Sequence, residues 1–397
     1  MLLVAAAAIA ILWANSPWHG SYHDLWNSHI AIDIAGSSLE LNLREWINDL
    51  GMVLFFFVVG LEIKREITEG ELRDPRQAAL PMIGALGGMI VPATIFALFN
   101  AGGEGSNGWG IPMATDIAIV VGIVTLLGTR APSWAKIFLL ALAIVDDIGA
   151  IVVIAVFYSD GVSFAWLAVA IGSFGFAALI RNRVPFISVY LMIGGLCWFA
   201  LHEAHIHPTL AGVAFGLLAP VRPRNPQVLV DERALADHPG YDAAFKLSRQ
   251  ARESVSIVEW LVHRLHPWSA FVVVPVFALA NAGVRIESSE LGGMVTNAVT
   301  WGVILGLVVG KTIGISSFTL LAVALKIGRL PKGVTPRYVI GAGALGGIGF
   351  TVSLFVTELA FGESILAEDA RLGVLVASIA AALIGSAIIV PGHVDKD

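Results

Sequence analysis

Long apolar runs separated by short polar segments dominate the chain. The runs are continuous rather than alternating, and most approach the roughly 20 residues that a helix needs to cross a bilayer, so they do not fit a transmembrane β-barrel. We expect twelve spans, at residues 1–14, 46–63, 78–99, 109–128, 136–158, 163–180, 185–201, 206–221, 257–282, 297–325, 338–361 and 368–391. The pattern predicts an all-α polytopic membrane protein with a single membrane domain over residues 1–397.

Composition agrees with this class. Hydrophobic residues make up 57% of the chain and charged residues 14%, and the mean hydropathy is +0.81. The single cysteine, Cys197, excludes an intrachain disulfide. The chain begins inside an apolar run without a basic segment before it, and we interpret this run as a first helix that lacks its leading residues. We expect a lipid bilayer around the protein, no cofactor and no nucleic-acid partner.

Basic residues fix the expected orientation. Under the predicted alternation, twenty of the 24 Lys and Arg residues fall on one side of the membrane, and only Arg44, Arg285 and Arg371 fall on the other. Basic residues concentrate on the cytoplasmic side of membrane proteins, so both termini are expected in the cytoplasm. The remaining basic residue, Lys311, lies inside a span.

The first outer loop has a different pattern from the spans. Isoleucines and leucines alternate with polar or small residues over 30–43, around a Gly-Ser-Ser turn, which is typical of a β-hairpin. An isolated hairpin is only marginally stable in water, so it needs a partner. A second copy of the hairpin and the protein's own membrane domain are both suitable. The longest inner loop, residues 222–256, is polar, and we assign it no function.

Two adjacent acids, Asp146 and Asp147, stand at the centre of the fifth span. A carboxylate at this depth costs about 2.5–3.5 kcal/mol on insertion scales. Neighbouring residues on a helix diverge by about 100°, so one acid can face a water-filled site while the other faces a partner helix. A pair neutralised by a structural cation, or a short soluble core helix, is the structural alternative.

Two spans contain signs of an interruption. In the fourth, Gly110 and Pro112 precede Thr115 and Asp116. In the eleventh, five glycines between 341 and 349, including Gly347 and Gly349, precede Thr351, although glycines also permit close helix packing. Interrupted helices in corresponding positions of two halves indicate an inverted-repeat transporter. The triplets formed by spans 3–5 and 10–12 would run in opposite directions, and each has its interrupted span in the middle.

Lys311 completes the set of deep charges. A lysine inside a membrane needs a carboxylate partner or loses its proton. The comparably deep acids are Asp116, Asp146 and Asp147. Together with the two interrupted spans, these residues predict a cation site with a built-in counter-charge.

Sequence motifs along nearly the whole chain are similar to those of one family. They include WANSP at 13–17, WINDLGMVLFFFVVGLEIKRE at 46–66, ATDIA at 114–118, ALAIVDDIGAI at 141–151, HPTLAGV at 207–213, LHPW at 265–268, FALANAGV at 277–284, GKTIGI at 310–315 and GIGFTVSLF at 347–355. On these motifs the chain resembles the NhaA family of bacterial sodium/proton antiporters.

The resemblance implies roles for the deep charges. Asp147, Asp116 and Thr115 would line the Na⁺ site, and Asp146 would pair with Lys311, with Gly347, Gly349 and Thr351 supporting the interrupted helix. Carboxylates, a hydroxyl and water are suitable hard ligands for Na⁺. Since burial disfavours the charged form of a carboxyl group, protons would compete with Na⁺ for the same oxygens.

The resemblance also implies a pH response. Glu62, Lys64, Arg65, Glu66 and His207 match positions that the family links to it. The Glu62–Glu66 segment is equally explained as a stop-transfer anchor, and a capping or packing role suits His207 better than a sensor role. Val262 stands where the family usually has an acid, and Glu259 is the nearest substitute.

The expected activity is electrogenic, pH-regulated exchange of cytoplasmic Na⁺ or Li⁺ for external H⁺ in the bacterial inner membrane, by a transporter rather than an enzyme. A homodimer through the hairpin is the expected assembly. The alternatives are a sodium-coupled solute symporter, which would need a further polar pocket, and an intramembrane aspartyl protease, whose acids should lie on different helices in a Gly-x-Gly-Asp context.

Overall fold

The computed structural model describes residues 2–34, 37–159, 161–181, 184, 187–221, 255–285, 297–331 and 333–390. Within these ranges, six helices are long and apolar enough to cross a membrane. They are Leu43–Glu69, Pro75–Asn100, Ser133–Phe157, Ile257–Asn281, Ala298–Ala324 and Ile365–Ile389. Three of the six contain a π-helical turn, and their segments carry separate labels below.

The described α-helices are α1 (Leu2–Ala14), α2 (His19–Trp26), α3 (Leu43–Trp46), α4 (Met52–Glu69), α5 (Pro75–Asn100), α6 (Ile117–Leu127), α7 (Ser133–Phe157), α8 (Phe164–Ile180), α9 (Ile187–Glu203), α10 (Thr209–Leu218), α11 (Ile257–Trp268), α12 (Val274–Asn281), α13 (Ala298–Leu305), α14 (Lys311–Ala324), α15 (Pro336–Leu345), α16 (Phe350–Phe361) and α17 (Ile365–Ile389). The π-helical turns are Ile47–Gly51, Ser269–Val273 and Gly306–Gly310, and 3-10 segments cover Glu71–Arg73, Glu104–Met113 and Gly128–Arg130.

Three further helix pairs are apolar enough to span the membrane and are bent at a break. The bend is 115° between α1 and α2, 42° between Glu104–Met113 and α6, and 48° between α15 and α16. The last two breaks fall within the two spans that the sequence predicts to be interrupted. With each bent pair counted as one span, the described residues contain up to nine spans.

The remaining predicted spans coincide with α8, α9 and α10, which are apolar helices of 10–17 residues. The prediction of a helical, multi-pass membrane protein is therefore confirmed. The count of twelve spans and the inverted repeat remain predictions.

The predicted hairpin is confirmed as a small antiparallel sheet. Strand β1 (His29–Ile34) pairs with β2 (Ser37–Asn42), and His29 lies opposite Asn42. The sheet leads directly into α3 through a capping box. The side chain of Asn42 accepts the N–H of Glu45 at 2.8 Å, and the Glu45 carboxylate accepts the N–H of Asn42 at 2.7 Å.

The chain divides into two compact units. The first contains residues 1–51, 71–159 and 273–397, and the second contains residues 52–70 and 160–272. In the first unit, α5 and α14 approach so closely at Gly87 and Gly314 that a Cβ atom on either glycine would overlap the carbonyl oxygen of the other. This contact is available only to glycine, and it seats α14 directly against α5.

The second unit has a similar contact between α4 and α10. A Cβ atom added to Gly216 would lie 2.5 Å from the carbonyl oxygen of Phe57 and 2.9 Å from the Cα atom of Gly60. Both atoms belong to backbone, which cannot move aside as a flexible side chain would. The two helices are therefore held at a distance that no larger residue at Gly216 allows.

We expect Gly216→Ala to lower the melting temperature of the protein in detergent. Overpacking of this kind costs about 1–3 kcal/mol, more than the roughly 1 kcal/mol that a helix gains when alanine replaces glycine. Gly195→Ala in α9 is the matched control, because an added Cβ there meets nothing within 4 Å. A melting temperature for Gly216→Ala at or above that of Gly195→Ala would contradict this packing.

Candidate cation site

The two interrupted helices of the first unit supply hydrogen-bond partners to each other. The N–H of Asp116, at the first break, donates to the carbonyl oxygen of Ile348, at the second, over 2.7 Å. The hydroxyl of Ser353 in α16 donates to the carbonyl oxygen of Ile111 at 2.8 Å. Unwound backbone inside a membrane needs protein partners because lipid offers none. The breaks therefore lie together, and each satisfies polar groups that the other leaves open.

Asp116 caps both half-helices. Its Oδ1 atom accepts the N–H of Ile119 in α6 at 3.0 Å, and its Oδ2 atom accepts the N–H of Thr351 in α16 at 3.1 Å. The Thr351 hydroxyl donates to the same oxygen at 2.6 Å. A helix N-terminus carries a partial positive charge that stabilises a carboxylate. Two such termini meet at Asp116, which is only 2% exposed.

Lys311 and Asp146 form an ion pair that is completely buried. The Nζ atom of Lys311 lies 2.5 Å from Oδ2 of Asp146, and both side chains are 0% exposed. Lys311 Nζ also donates to the hydroxyl oxygen of Thr115 at 3.0 Å. Because charges removed from water are costly unless they are paired and hydrogen-bonded, each of these contacts is needed to keep the lysine and the acid charged at this depth.

Thr115 connects the ion pair to the second break. Its hydroxyl lies 2.7 Å from Oδ2 of Asp146 and 2.8 Å from the carbonyl oxygen of Gly346, and it can donate its one proton to either. The sequence-based hypothesis grouped Thr115 with Asp116 and Asp147. In the structure its hydrogen bonds go to Asp146, Lys311 and Gly346 instead.

Asp147 is buried next to this pair. It is 2% exposed, and its charge acts on Lys311 together with that of Asp146. Asp146 is the acid of the two that faces a partner helix, since Lys311 belongs to α14. This is the division between adjacent acids that a 100° step along a helix requires.

Gly347 and Gly349 shape the second break. A Cβ atom on Gly347 would overlap the carbonyl oxygen of Leu307, and one on Gly349 would overlap the hydroxyl of Ser353 while lying 2.9 Å from the Leu307 side chain. Larger residues at these two positions would push the break away from the segment that leads into α14. The two glycines therefore allow the close approach of Leu307 in addition to interrupting the helix.

The residues predicted to take part in a pH response lie mainly in the second unit. Glu62 is paired with His266, whose Nδ1 atom lies 3.0 Å from Glu62 Oε1. Glu66 is buried, whereas Lys64, Arg65 and His207 are half-buried and Glu259 is exposed. The backbone N–H of Glu259 is capped by the hydroxyl of Ser256 at 3.1 Å. Glu62 is thus placed in a contact that changes when a histidine titrates.

Three features of the site were missed from sequence. His266 is the partner of Glu62, and the LHPW motif that contains it was the one available signal. Ser378 in α17 accepts the N–H of Phe350, the first residue of α16, at 3.3 Å. The third is the π-helical turn directly before Lys311. No local pattern marks Ser378 or the turn, because each depends on contacts between distant segments.

Buried acids, a lysine counter-charge and two interrupted helices at one point define an ion-coupled secondary transporter. The family comparison is more specific. The family model described as Na+/H+ antiporter 1 matches residues 1–389. The chain belongs to this family, which consists of transporters rather than enzymes, and the resemblance found in the motifs is confirmed.

Individual relatives agree. The chain is 46% identical to Na⁺/H⁺ antiporter NhaA 3 of Frankia alni over 98% of this chain and 85% of that protein. It is 45% identical to Na⁺/H⁺ antiporter NhaA 2 of Myxococcus xanthus over 97% and 85%, respectively. It is 44% identical to Na⁺/H⁺ antiporter NhaA 1 of Mycobacterium sp. strain JLS over 96% of this chain but 63% of that protein. Among solved structures, it is similar to the sodium proton antiporter MjNhaP1 from Methanocaldococcus jannaschii, with a TM-score of 0.47 and 11% identity over 98% of this chain and 91% of that one.

We expect Lys311→Ala to lower the melting temperature clearly, because breaking a buried ion pair from one side typically costs about 3–5 kcal/mol. The double change Asp146→Asn with Lys311→Gln should recover part of the loss, since it leaves no uncompensated charge. Lys326→Ala, at an exposed lysine just after α14, is the matched control and should melt like the wild type. Additive losses in the Asp146/Lys311 cycle would count against a coupled pair.

Proposed function

We propose that the protein exchanges cytoplasmic Na⁺ or Li⁺ for external H⁺ by alternating access of one site to the two sides of the membrane. The observation that carries this proposal is the burial of Asp116, Asp146, Asp147 and Lys311 where two interrupted helices contact each other, in a member of the Na⁺/H⁺ antiporter 1 family. Carboxylates bind hard cations and protons at the same oxygens. Competition between the two ions is therefore built into the site.

Asp147 and Asp116 are the proposed Na⁺ ligands. The Asp116 oxygens are engaged with Ile119 and Thr351, so a cation that binds Asp116 shares its charge with two helix N-termini. Thr115 is bonded to the ion pair and can reach a cation only when that pair rearranges. Following the resemblance to the family, we assign Asp147 the leading role in binding, with Asp116 supporting it and Thr115 joining as the pair changes.

The Asp146–Lys311 pair is the proposed coupling element. Lys311 is paired with Asp146, and the charge of Asp147 also acts on it. One lysine therefore faces more than one buried acid, and the site holds net negative charge when the acids are ionised. When Na⁺ binds, the pair and Asp147 together can release more than one proton. Exchange of more than one proton for each Na⁺ moves net positive charge inward, and each such charge gains about 2.3 kcal/mol per 100 mV of inside-negative potential.

The setting proposed for this activity is the bacterial inner membrane, with both termini in the cytoplasm, as the distribution of Lys and Arg favours. The β1–β2 sheet is a suitable element for a homodimer, because both strands of a two-stranded sheet are edge strands, the kind that pair with another chain. The Glu62–His266 contact is the proposed place of a pH response, since protonation of histidine near neutral pH strengthens its attraction to a carboxylate.

A sodium-coupled symporter would use the same cation site but needs a pocket for a second solute. A symporter would take up Na⁺ only together with its solute, whereas an antiporter moves protons when Na⁺ alone is added. An intramembrane aspartyl protease needs two acids as a pair at one point, and the adjacent acids Asp146 and Asp147 diverge on one helix. Sodium-dependent proton movement in proteoliposomes without solute separates all three.

Asp147→Asn should abolish Na⁺-driven proton flux, because an amide neither carries the charge nor exchanges a proton. Asp116→Asn should retain some exchange with a strongly weakened apparent affinity for Na⁺. Both proteins should insert normally, and Asp24→Asn, at an exposed acid in α2, should behave as the wild type. Near-normal Na⁺-driven proton flux in Asp147→Asn would contradict the assignment of Asp147 as a Na⁺ ligand.

Currents on a solid-supported membrane should appear when Na⁺ is added to proteoliposomes, because unequal charge is exchanged. As the pH falls below that at which the shared carboxylates take up protons, the apparent Na⁺ affinity should fall about tenfold per pH unit for each competing proton, with little change in maximal rate. The absence of a transient current would indicate electroneutral exchange. A Na⁺ affinity independent of pH would exclude a shared site.

A further inference from the structure

The alternation of the spans predicts only three basic residues on the outer side of the membrane, and two of them, Arg44 and Arg371, are buried. Arg44 lies in α3, directly after the β1–β2 sheet, and Arg371 lies in α17. The charges of both arginines act on the buried side chain of Tyr22, so the two lie in one part of the first unit. A buried arginine is costly unless an acid pairs with it. Each of the two has a glutamate partner.

The pair formed by Arg371 is largely buried on both sides. Its Nη2 atom lies 2.5 Å from Oε2 of Glu358 near the end of α16, and the Glu358 side chain is only 15% exposed. At the start of α16, the N–H of Phe350 donates to the hydroxyl oxygen of Ser378, which also belongs to α17. Two contacts about two turns apart thus hold α16 along α17. Since breaking a buried pair is costly, we expect the two helices to move together.

The pair formed by Arg44 is weaker. Its Nη1 atom lies 3.6 Å from Oε1 of Glu363, in the turn between α16 and α17, and the Glu363 side chain is 54% exposed. An exposed pair favours its closed arrangement by at most about fivefold. The Nε atom of Arg44 is buried and has no hydrogen-bond acceptor among the described residues, so water would satisfy this arginine better than its present surroundings do. The contact can therefore open at little cost.

Half-helix α16 connects this outer contact to the cation site. The N–H and the hydroxyl of Thr351, in the first turn of α16, both donate to Oδ2 of Asp116. Glu363 follows Phe361, the last residue of α16, by two positions. On the other side of the contact, α3 forms the first turn of the long apolar helix Leu43–Glu69. The Arg44–Glu363 pair therefore joins the predicted outer end of one spanning helix to the half-helix that bonds Asp116.

We propose that Arg44 and Glu363 are a positioning pair for exchange, which holds α16 against α3 while the site is closed to the outer side and separates when the site opens to that side. This proposal rests on the proposed antiport function. The Arg371–Glu358 pair stays intact, so α16 and α17 leave α3 together. Hydration of Arg44 in the open state offsets the loss of its partner. Because the pair exists in only one of the two states, its strength sets how often the outer-open state forms.

The main test is Glu363→Gln, which removes the charge at an exposed position and leaves the packing intact. Loss of the pair should raise the population of the outer-open state, and the apparent affinity for a ligand rises in proportion to the population of the state that binds it. The apparent Na⁺ affinity at the outer face should therefore rise about two- to fivefold, while the affinity at the cytoplasmic face stays unchanged or falls. Currents after a Na⁺ jump, recorded from right-side-out and inside-out membrane vesicles, measure the two faces separately.

Glu104→Gln is the matched control. Glu104 is exposed, lies on the predicted outer side and is in none of the ion pairs formed among the described residues, so this variant should leave both affinities unchanged. Glu363→Lys places two like charges together and should raise the outer affinity at least as much as Glu363→Gln does. In an Arg44→Gln background, Glu363→Gln should have no further effect, because the pair is already lost.

The effect on one face separates a positioning pair from a merely structural one, which would change both faces alike. An outer affinity that does not rise in Glu363→Gln, a parallel rise at both faces, or an effect of Glu363→Gln that persists in the Arg44→Gln background would overturn the proposal. The two Glu363 variants change an exposed side chain and should melt like the wild type. A wild-type protein that moves no protons when Na⁺ is added would instead overturn the antiport function itself.

Discussion

The cost of burying charge in a membrane is the constraint on which the rest of the first unit depends. Lys311 and Asp146 are wholly buried, and neither is stable at this depth without the other. Their contact requires α14 to lie against α5 and α7 to present Asp146 toward α14. The glycines Gly87 and Gly314 allow the first of these approaches. The close packing of α14 against α5 therefore also serves to keep one ion pair together.

The interrupted helices face a related constraint, since their unwound backbone must also find polar partners inside the membrane. A broken helix exposes N–H and C=O groups that lipid cannot satisfy. Asp116 resolves this for two helices at once, because it accepts N–H groups from both α6 and α16. Asp116 therefore both caps the two half-helices and offers a carboxylate to an ion. In the proposed exchange, a proton or cation that changes the charge of Asp116 would also change how firmly it holds the two half-helices.

Sequence reasoning identified apolar membrane-spanning helices and the deep charges because apolar length and intramembrane charge are local signals, whereas the count of twelve spans remains a prediction. It also located both interruptions, from Pro112 with Thr115-Asp116 and from the glycines that end at Gly349. The positions of the acids within the predicted spans left Lys311 three possible partners. The choice of Asp146 came from family resemblance, since helical direction cannot be read from a single charged residue.

Other features had no signal in the sequence. Thr115 lies in an unwound segment, where helical periodicity does not say which way a side chain points. Its bonds to Asp146 and Gly346 follow from tertiary contacts alone. The segment GLVVG before Lys311 is compatible with a continuous helix, and its π-helical turn lies in contact with Pro92, Pro112 and Gly347. Glu62 and His266 are 204 positions apart, and only folding brings them together.

The energies involved suit a pair that is firm yet opens in each cycle. Breaking a buried pair from one side costs about 3–5 kcal/mol, whereas one net charge crossing 100 mV yields about 2.3 kcal/mol. Membrane potential alone therefore does not meet the cost of opening the pair. In the proposed exchange, a cation or proton at the site supplies the remainder by replacing the charge of the lysine. The pair would then stay closed in an empty site and open in a loaded one, which is the condition for coupled exchange rather than leak.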